Sequence, residues 1–242
     1  MMLFVILGFC AQLIDGCLGM AYGVVLTTFL TANGVPLTQA SFGVHFAEIF
    51  TTLVSAISHW RFDNVNWPMF KRLTLAGMLG GIVGAYVLTS VPGNRLKPLV
   101  AVYLLLVGGR LLFKAWQQSS FKFTLKRLFP LALLAGFCDA VGGGGWGPIV
   151  TGTLLVRGYI PHKVIGTVNT SEFFVTVTQT ATFIALMGFG NWKLISGLII
   201  GGILAAPLAA YLCKRINQKI LMSAVGILII IINGYILFNW WQ

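Results

Sequence analysis

Long, predominantly apolar segments separated by short polar gaps follow one another along the whole chain. Eight such segments cover residues 3–33, 38–58, 67–90, 97–113, 128–157, 162–187, 192–213 and 219–241. About 20 residues of helix cross the hydrocarbon core of a bilayer, so apolar stretches of this length are typical of transmembrane helices. The pattern predicts an all-α integral membrane protein with no room for a soluble domain.

The longest polar gap, residues 114–127, divides the chain into two halves that resemble each other. It predicts repeat one at 1–113, a basic cytoplasmic linker at 114–127 and repeat two at 128–242. When the first half is shifted by 124 residues, residues of the same kind coincide. The aligned pairs are Asp15 with Asp139, Gly19 with Gly143, Tyr22 with Trp146, Gly23 with Gly147, and Glu48 with Glu172. We infer an internal duplication.

The first segment of each half is about 30 residues long, too long for one straight span. Each contains a glycine-rich interruption, GCLGMAYG at 16–23 and GGGGWGP at 142–148. Glycine and proline weaken a helix at these points. Two geometries fit: a broken helix that still crosses the membrane, or a re-entrant hairpin that enters and leaves on one side.

The positions of the basic residues favour the hairpins. If all eight segments cross, the 16 Lys and Arg residues divide almost evenly between the two faces. If segments 3–33 and 128–157 are re-entrant, one face keeps only Arg95, Lys97 and Lys193, as the positive-inside rule requires. We therefore predict two inverted repeats, each with one hairpin and three transmembrane helices. Basic loops would be cytoplasmic and both termini would lie on the opposite side.

Composition excludes several classes of function. Of the residues, 57% are hydrophobic and only 9% are charged, whereas soluble domains carry about 25% charged residues. The net charge of +11 comes from loop cations, so we predict no nucleic-acid partner. The chain has no HExxH motif and no paired cysteines, and we expect no metal, no cofactor and no enzymatic activity.

Four of the five acidic residues lie inside apolar segments, as the repeat-related pairs Asp15/Asp139 and Glu48/Glu172. Ionisable residues at membrane depth are costly and are functional candidates by default. We predict that these four carry protons or another coupling ion. Hydrogen bonding between helices, with no role in transport, is the alternative.

Other residues are predicted to line a substrate site. The glycines let backbone approach a ligand, although they could also serve close helix packing. Glu48 and Glu172 each lie on a polar helical face. The predicted lining residues are Gly19, Tyr22, Gly23, His45, Gly142, Gly143, Gly144, Gly145, Trp146, Asn169, Thr170 and Ser171.

Four motifs in this order resemble the sulfite exporter TauE/SafE family, also called the toluene sulfonate uptake permease family. They are IDGCLGMAYG (14–23), ASFGVHFAEIF (40–50), DAVGGGGWGP (139–148) and VIGTVNTSEFF (164–174). The resemblance covers nearly the whole chain. It implies a transporter in a bacterial inner membrane for sulfite, organosulfonates or related anions. It also implies that the two acid pairs line the site together with Tyr22, His45, Trp146 and Asn169.

The expected function is a secondary transporter that exports sulfite or a related small anion, with proton coupling. Backbone N–H groups and hydroxyls would bind the anion between the hairpin tips, because no Lys or Arg is expected at that depth. The alternatives are an anion channel, an uptake permease for another small organic anion, and a non-transporting scaffold or sensor. The expected partners are the anion and the lipid bilayer; whether the chain forms a homo-oligomer stays open.

Overall fold

The computed structural model describes residues 1–18, 20–91, 93–116, 127–157, 159–212 and 218–241. In these ranges the chain is all-helical. The helices are α1 (Met2–Leu18), α2 (Tyr22–Ala32), α3 (Leu37–Arg61), α4 (Trp67–Ser90), α5 (Gly93–Trp116), α6 (Leu128–Gly142), α7 (Trp146–Val156), α8 (Pro161–Met187), α9 (Trp192–Leu212) and α10 (Gln218–Trp241). Helix α5 continues through Lys114 to Trp116, beyond the predicted end at residue 113, because Lys, Ala and Trp at 114–116 do not break a helix.

Residues 3–33 and 128–157 each contain two helices instead of one. We name the intervening residues 19–21 break one and 143–145 break two. Helices α2 and α7 have 11 residues each, about 16 Å of helix, and neither can cross a hydrocarbon core of about 30 Å. Helix α6 ends at Gly142 and is capped by Gly143, whose φ of 63° is the left-handed conformation that glycine adopts without strain.

Two asparagines begin repeat-related helices in the same way. The Asn66 side chain accepts a hydrogen bond from Met69 N at 3.1 Å at the start of α4. The Asn191 side chain accepts from Lys193 N at 3.1 Å at the start of α9. Asparagine is a favoured N-cap because its side chain satisfies an N–H that the first helical turn leaves unpaired.

Three helices in the described part of the chain are long and apolar enough to cross a membrane. They are Leu37–Arg61, Trp67–Ser90 and Pro98–Trp116. Helix α8 has 27 residues, but its Thr, Ser, Asn, Gln and Glu side chains lower its hydropathy. A helix that buries a polar face inside a bundle can be long enough to span and still be less apolar than a lipid-exposed one.

The helices pack in pairs. Helix α1 lies along α9 and α6 along α4, while α5 packs on α10 and α3 on α8. Small residues allow the closest approaches: a Cβ added to Gly136 would lie 2.2 Å from Gly77 O, and one added to Gly201 would lie 2.0 Å from Val5 O. Such contacts are typical of membrane helices, in which van der Waals packing drives association.

The buried apolar side chains form two clusters. One surrounds Tyr22 and Phe42 and is built mainly from α1, α2, α3, α5 and α9. The other surrounds Trp146 and Met69 and is built from α4, α6, α7 and α8. Each cluster supports the helix that follows one of the breaks.

Candidate functional site

A carboxylate binds the first N–H of the helix after each break. Asp15 Oδ1 accepts a hydrogen bond from Tyr22 N at 3.2 Å, and Asp139 Oδ1 accepts one from Trp146 N at 2.9 Å. Both bonds join residues seven apart. A negative charge is favourable at a helix N-terminus because of the unpaired N–H groups and the helix dipole. These two backbone N–H groups are therefore already bonded within the protein.

The start of α2 packs directly against break two. A Cβ added to Gly144 would lie 2.2 Å from Val24 N, and one added to Gly23 would lie 2.6 Å from Gly143 O. Thr27 Oγ1 also donates a hydrogen bond to Gly143 O at 2.7 Å. Backbone approaches backbone here, and only glycine leaves enough space.

His45 joins α3 to the C-terminal end of α6, just before break two. Its Nδ1 lies 2.9 Å from Glu48 Oε2 and 3.9 Å from Asp139 Oδ2, and its Nε2 lies 3.2 Å from Asp139 O. His45 is completely buried, and Glu48 and Asp139 are 4% and 2% exposed. A carbonyl oxygen only accepts hydrogen bonds, so Nε2 carries a proton. The His45–Glu48 bond then contains one further proton, on either the imidazole or the carboxyl group.

Polar side chains from α3 and α8 hold the end of α6. Gln179 Nε2 donates to Asp139 Oδ2 at 3.0 Å, and Ser41 Oγ donates to Ala140 O at 2.6 Å. Asp139 therefore accepts hydrogen bonds through both oxygens, which fits an ionised carboxylate. Both donors lie on the polar helical faces that carry the two glutamates.

All four predicted acids lie near one another. Glu172 on α8 is partly buried, and its charge is close enough to repel those of Glu48, Asp15 and Asp139. The four carboxylates cannot all be ionised in a buried site without a large electrostatic cost, so the cluster retains protons or attracts a cation.

The other predicted residues have mixed surroundings. Tyr22 and Trp146 are buried, and their polar atoms contact backbone: Tyr22 OH lies 3.5 Å from Leu198 O, and Trp146 Nε1 donates to Val168 O at 3.3 Å. Thr170 and Ser171 donate to carbonyls of their own helix.

Asn169 connects α8 to α3. Its Nδ2 donates to Ser55 Oγ at 3.0 Å, while its buried Oδ1 has no hydrogen-bond partner. This free acceptor is a polar atom at the α3–α8 interface that a bound donor could satisfy.

Gly142 and Gly145 face Tyr103 of α5. A Cβ on Gly145 would lie 2.2 Å from Tyr103 OH, and one on Gly142 would lie 3.0 Å from its ring. Gly19 lies outside the described residues.

Sequence reasoning missed Tyr103 and Thr27 because nothing in their apolar surroundings distinguishes them. Gln179 gave a signal, since it lies on the same helical face as Glu172, but it was not counted among the site residues. Among the described residues, no group of three or more His, Cys, Asp or Glu is arranged to hold a metal ion.

Comparison with known proteins agrees with an integral membrane protein built from apolar helices. The family model described as "Sulfite exporter TauE/SafE" matches residues 4–236. The chain is also 42% identical over 251 aligned positions to the "Probable membrane transporter protein YtnM" of Bacillus subtilis (strain 168), covering 100% of this chain and 84% of the relative. No solved structure matches the chain. The protein belongs to the sulfite exporter TauE/SafE family of membrane transporters.

Proposed function

We propose that this protein is a secondary transporter that exports sulfite or a related small sulfur-containing anion, such as an organosulfonate, across a bacterial inner membrane. The observation that carries the proposal is the meeting of break two with the start of α2 beside His45 and four acids. Interrupted helices near the midplane are where transporters bind substrates and coupling ions. The family description supports the substrate class.

The proposed architecture is a pair of inverted repeats with α1–α2 and α6–α7 as re-entrant hairpins. The pairing of α1 with α9 and of α6 with α4 supports it, because exchanging the two halves exchanges these contacts. Helices α3, α4, α5, α8, α9 and α10 would then span. Cysteines placed at residues 31–37 and at the N-terminus should react with an impermeant reagent from the same side. Reaction from opposite sides would show crossing helices.

The proposed mechanism couples the anion to a proton. The His45–Glu48 pair has no net charge when His45 Nε2 carries one proton and Nδ1 shares one more with the Glu48 carboxyl group. An additional proton, so that both Nδ1 and the Glu48 carboxyl group are protonated, makes the pair positive. The positive charge favours an anion next to the pair and offsets the charges of Asp15, Asp139 and Glu172. An inside-negative potential also drives anion efflux, by about 2.3 kcal/mol per charge per 100 mV.

The test is sulfite efflux from proteoliposomes with a set membrane potential and pH gradient, compared with protein-free liposomes. We expect saturable efflux that organosulfonates inhibit and that a pH gradient changes. Flux without saturation would indicate a channel. A response to sodium but not to pH would make the acids a cation site and contradict proton coupling. No flux of sulfite or sulfonates would contradict the proposed substrate class.

A further inference from the structure

A stripe of polar side chains runs along one face of α5 toward break two. Tyr103, Arg110 and Lys114 are separated by seven and four residues, so they lie on the same side of the helix. The stripe extends over 11 residues, about 16 Å of helix, or roughly half the hydrocarbon core. It joins the C-terminal end of α5 to the centre of the molecule.

The two cations of the stripe face α7. Arg110 Nη2 donates a hydrogen bond to Thr153 Oγ1, and the guanidinium lies over Gly152, where an added Cβ would be 4.0 Å from Arg110 Nε. Lys114, one turn further along α5, has its Nζ buried without a hydrogen-bond partner. Two like charges one turn apart on a helix repel each other. No hydrogen bond to Lys114 Nζ offsets this repulsion.

In the described part of the chain no acidic side chain pairs with either cation. Its five acidic side chains are Asp15, Glu48, Asp63, Asp139 and Glu172, and all five are described. The salt bridges among the described residues join His45 to Glu48 and Asp139, and Lys163 to Asp63. None involves Arg110 or Lys114. Within the described residues the two cations have no anionic partner, and an anion from another molecule can supply the counter-charge.

Snorkelling does not account for this arrangement. A lysine near the end of a membrane helix normally extends its ammonium to the water interface. The Lys114 ammonium is instead buried, and Arg110, whose side chain is exposed, reaches sideways to the hydroxyl of Thr153. Both cations are directed at the α5–α7 interface.

The other end of the stripe reaches break two. The hydroxyl of Tyr103 is buried without a hydrogen-bond partner and lies against Gly145. A hydroxyl in that position can donate to an anion that arrives beside the break. The stripe thus has a cationic end and a neutral donor end, which is a suitable order for drawing an anion inward and then releasing it.

We propose that Arg110, Lys114 and Thr153 form an oxyanion-binding site between α5 and α7, which receives the transported anion before it reaches Tyr103 and break two. The existence of the site follows from the unneutralised cations. Its identification as a stage of transport rests on the proposed function. Guanidinium and ammonium groups with a hydroxyl bind sulfite, sulfonate and phosphate oxygens alike.

The test is equilibrium binding of [³⁵S]sulfite to the purified full-length protein in detergent, under nitrogen. Arg110→Gln and Lys114→Gln should each raise Kd about tenfold or more, or abolish one bound anion per chain, since each removes a charge-assisted hydrogen bond. Arg110→Lys should restore most of the affinity lost in Arg110→Gln. Lys71→Gln removes the same charge from an exposed position on α4 and should leave binding unchanged.

Three results would overturn the proposal. One is wild-type binding in both Gln variants. Another is an equal loss in Lys71→Gln. The third is displacement of sulfite by phosphatidylglycerol, if native mass spectrometry also shows that the wild type retains this lipid and Arg110→Gln does not. That result would assign the site to a lipid phosphate. Binding does not require flux, so the two proposals fail separately: binding without efflux refutes only export, and efflux with unaltered binding in the variants refutes only this site.

Discussion

The two breaks share one construction but differ in their surroundings. At each break an aspartate binds the N–H of the residue seven positions later, an aromatic residue that begins the next helix. At break two Asp139 is also bonded to Gln179 and lies 3.9 Å from His45. At break one Asp15 is partly buried, and Ala21 has a φ of 108°.

We infer from this difference that the two breaks have unequal roles. Break two lies close to three hydrogen-bond donors, Gln179, His45 and, on α5, Tyr103. On the other half, α10 meets α2 through a neutral amide, with Asn233 Nδ2 donating to Thr28 Oγ1 at 3.2 Å. We infer that break two binds the anion and that break one chiefly supports it.

The largest expected effect concerns the contact on which both breaks depend. Gly144→Ala places a Cβ 2.2 Å from Val24 N, and Gly23→Ala places one 2.6 Å from Gly143 O. Neither neighbour is a flexible side chain, so each variant should lose about 3 kcal/mol or more of stability, the upper part of the range for overpacking. Thermal unfolding in detergent measures it.

Gly109→Ala is the matched control for these two substitutions. A Cβ at Gly109 of α5 meets nothing within 4 Å, so this variant should unfold at or slightly above the wild-type temperature. If Gly144→Ala behaves like Gly109→Ala, the breaks do not pack as described and their comparison loses its basis.

The next effect separates the two aspartates. Asp139→Ala leaves Trp146 N and Gln179 Nε2 without their acceptor, and each unsatisfied buried donor costs about 1–3 kcal/mol. Asp15→Ala leaves only one donor, Tyr22 N, without its acceptor, and both variants remove one charge from the acidic cluster. Asp139→Ala should therefore lower the unfolding temperature clearly more and reduce sulfite efflux more. Equal losses in the two variants would mean that the breaks are equivalent.

The acids and the interruptions could be predicted from sequence because duplication displays them twice. Spacing and hydropathy also indicate that Asp15 and Asp139 lie at membrane depth. The contact of Gly23 with Gly144, and the approach of Tyr103 to Gly145, depend on which helices become neighbours. No local pattern contains that information.

Arg110 illustrates the limit of reasoning from charge alone. Counted by position, it is one of many basic residues near the end of a segment, and nothing in the sequence indicates a contact with another helix. Its hydrogen bond to Thr153 exists because α7 packs beside α5 at this point. The side to which a helix presents a residue is determined by its tertiary neighbours.

A third effect separates the two glutamates by pH. Wild-type efflux should fall as pH rises, since the additional proton that makes the His45–Glu48 pair positive is then lost. For one coupled proton the limiting slope is about tenfold per pH unit. Glu48→Gln should flatten this slope, because Gln cannot take up the shared proton.

Glu172→Gln is the companion variant. It should lower efflux while the slope persists, because the His45–Glu48 pair remains intact. Efflux from proteoliposomes at equal pH on both sides, without a membrane potential, measures both variants. An unchanged slope in Glu48→Gln would exclude this pair as the proton carrier.

The smallest effect tests the strain at break one. Ala21 has a φ of 108°, a region that costs an L-residue with a Cβ of the order of 1–2 kcal/mol. The corresponding residue of break two is Gly145, and Ala21→Gly makes the two breaks alike at this position. The relief should exceed the entropy that glycine adds to the unfolded chain and raise stability by about 1 kcal/mol or less. The unfolding temperature should rise by a few degrees with efflux unchanged. If Ala21→Gly instead lowers both stability and efflux, the alanine methyl group packs usefully at break one, and the strain is a requirement of the site.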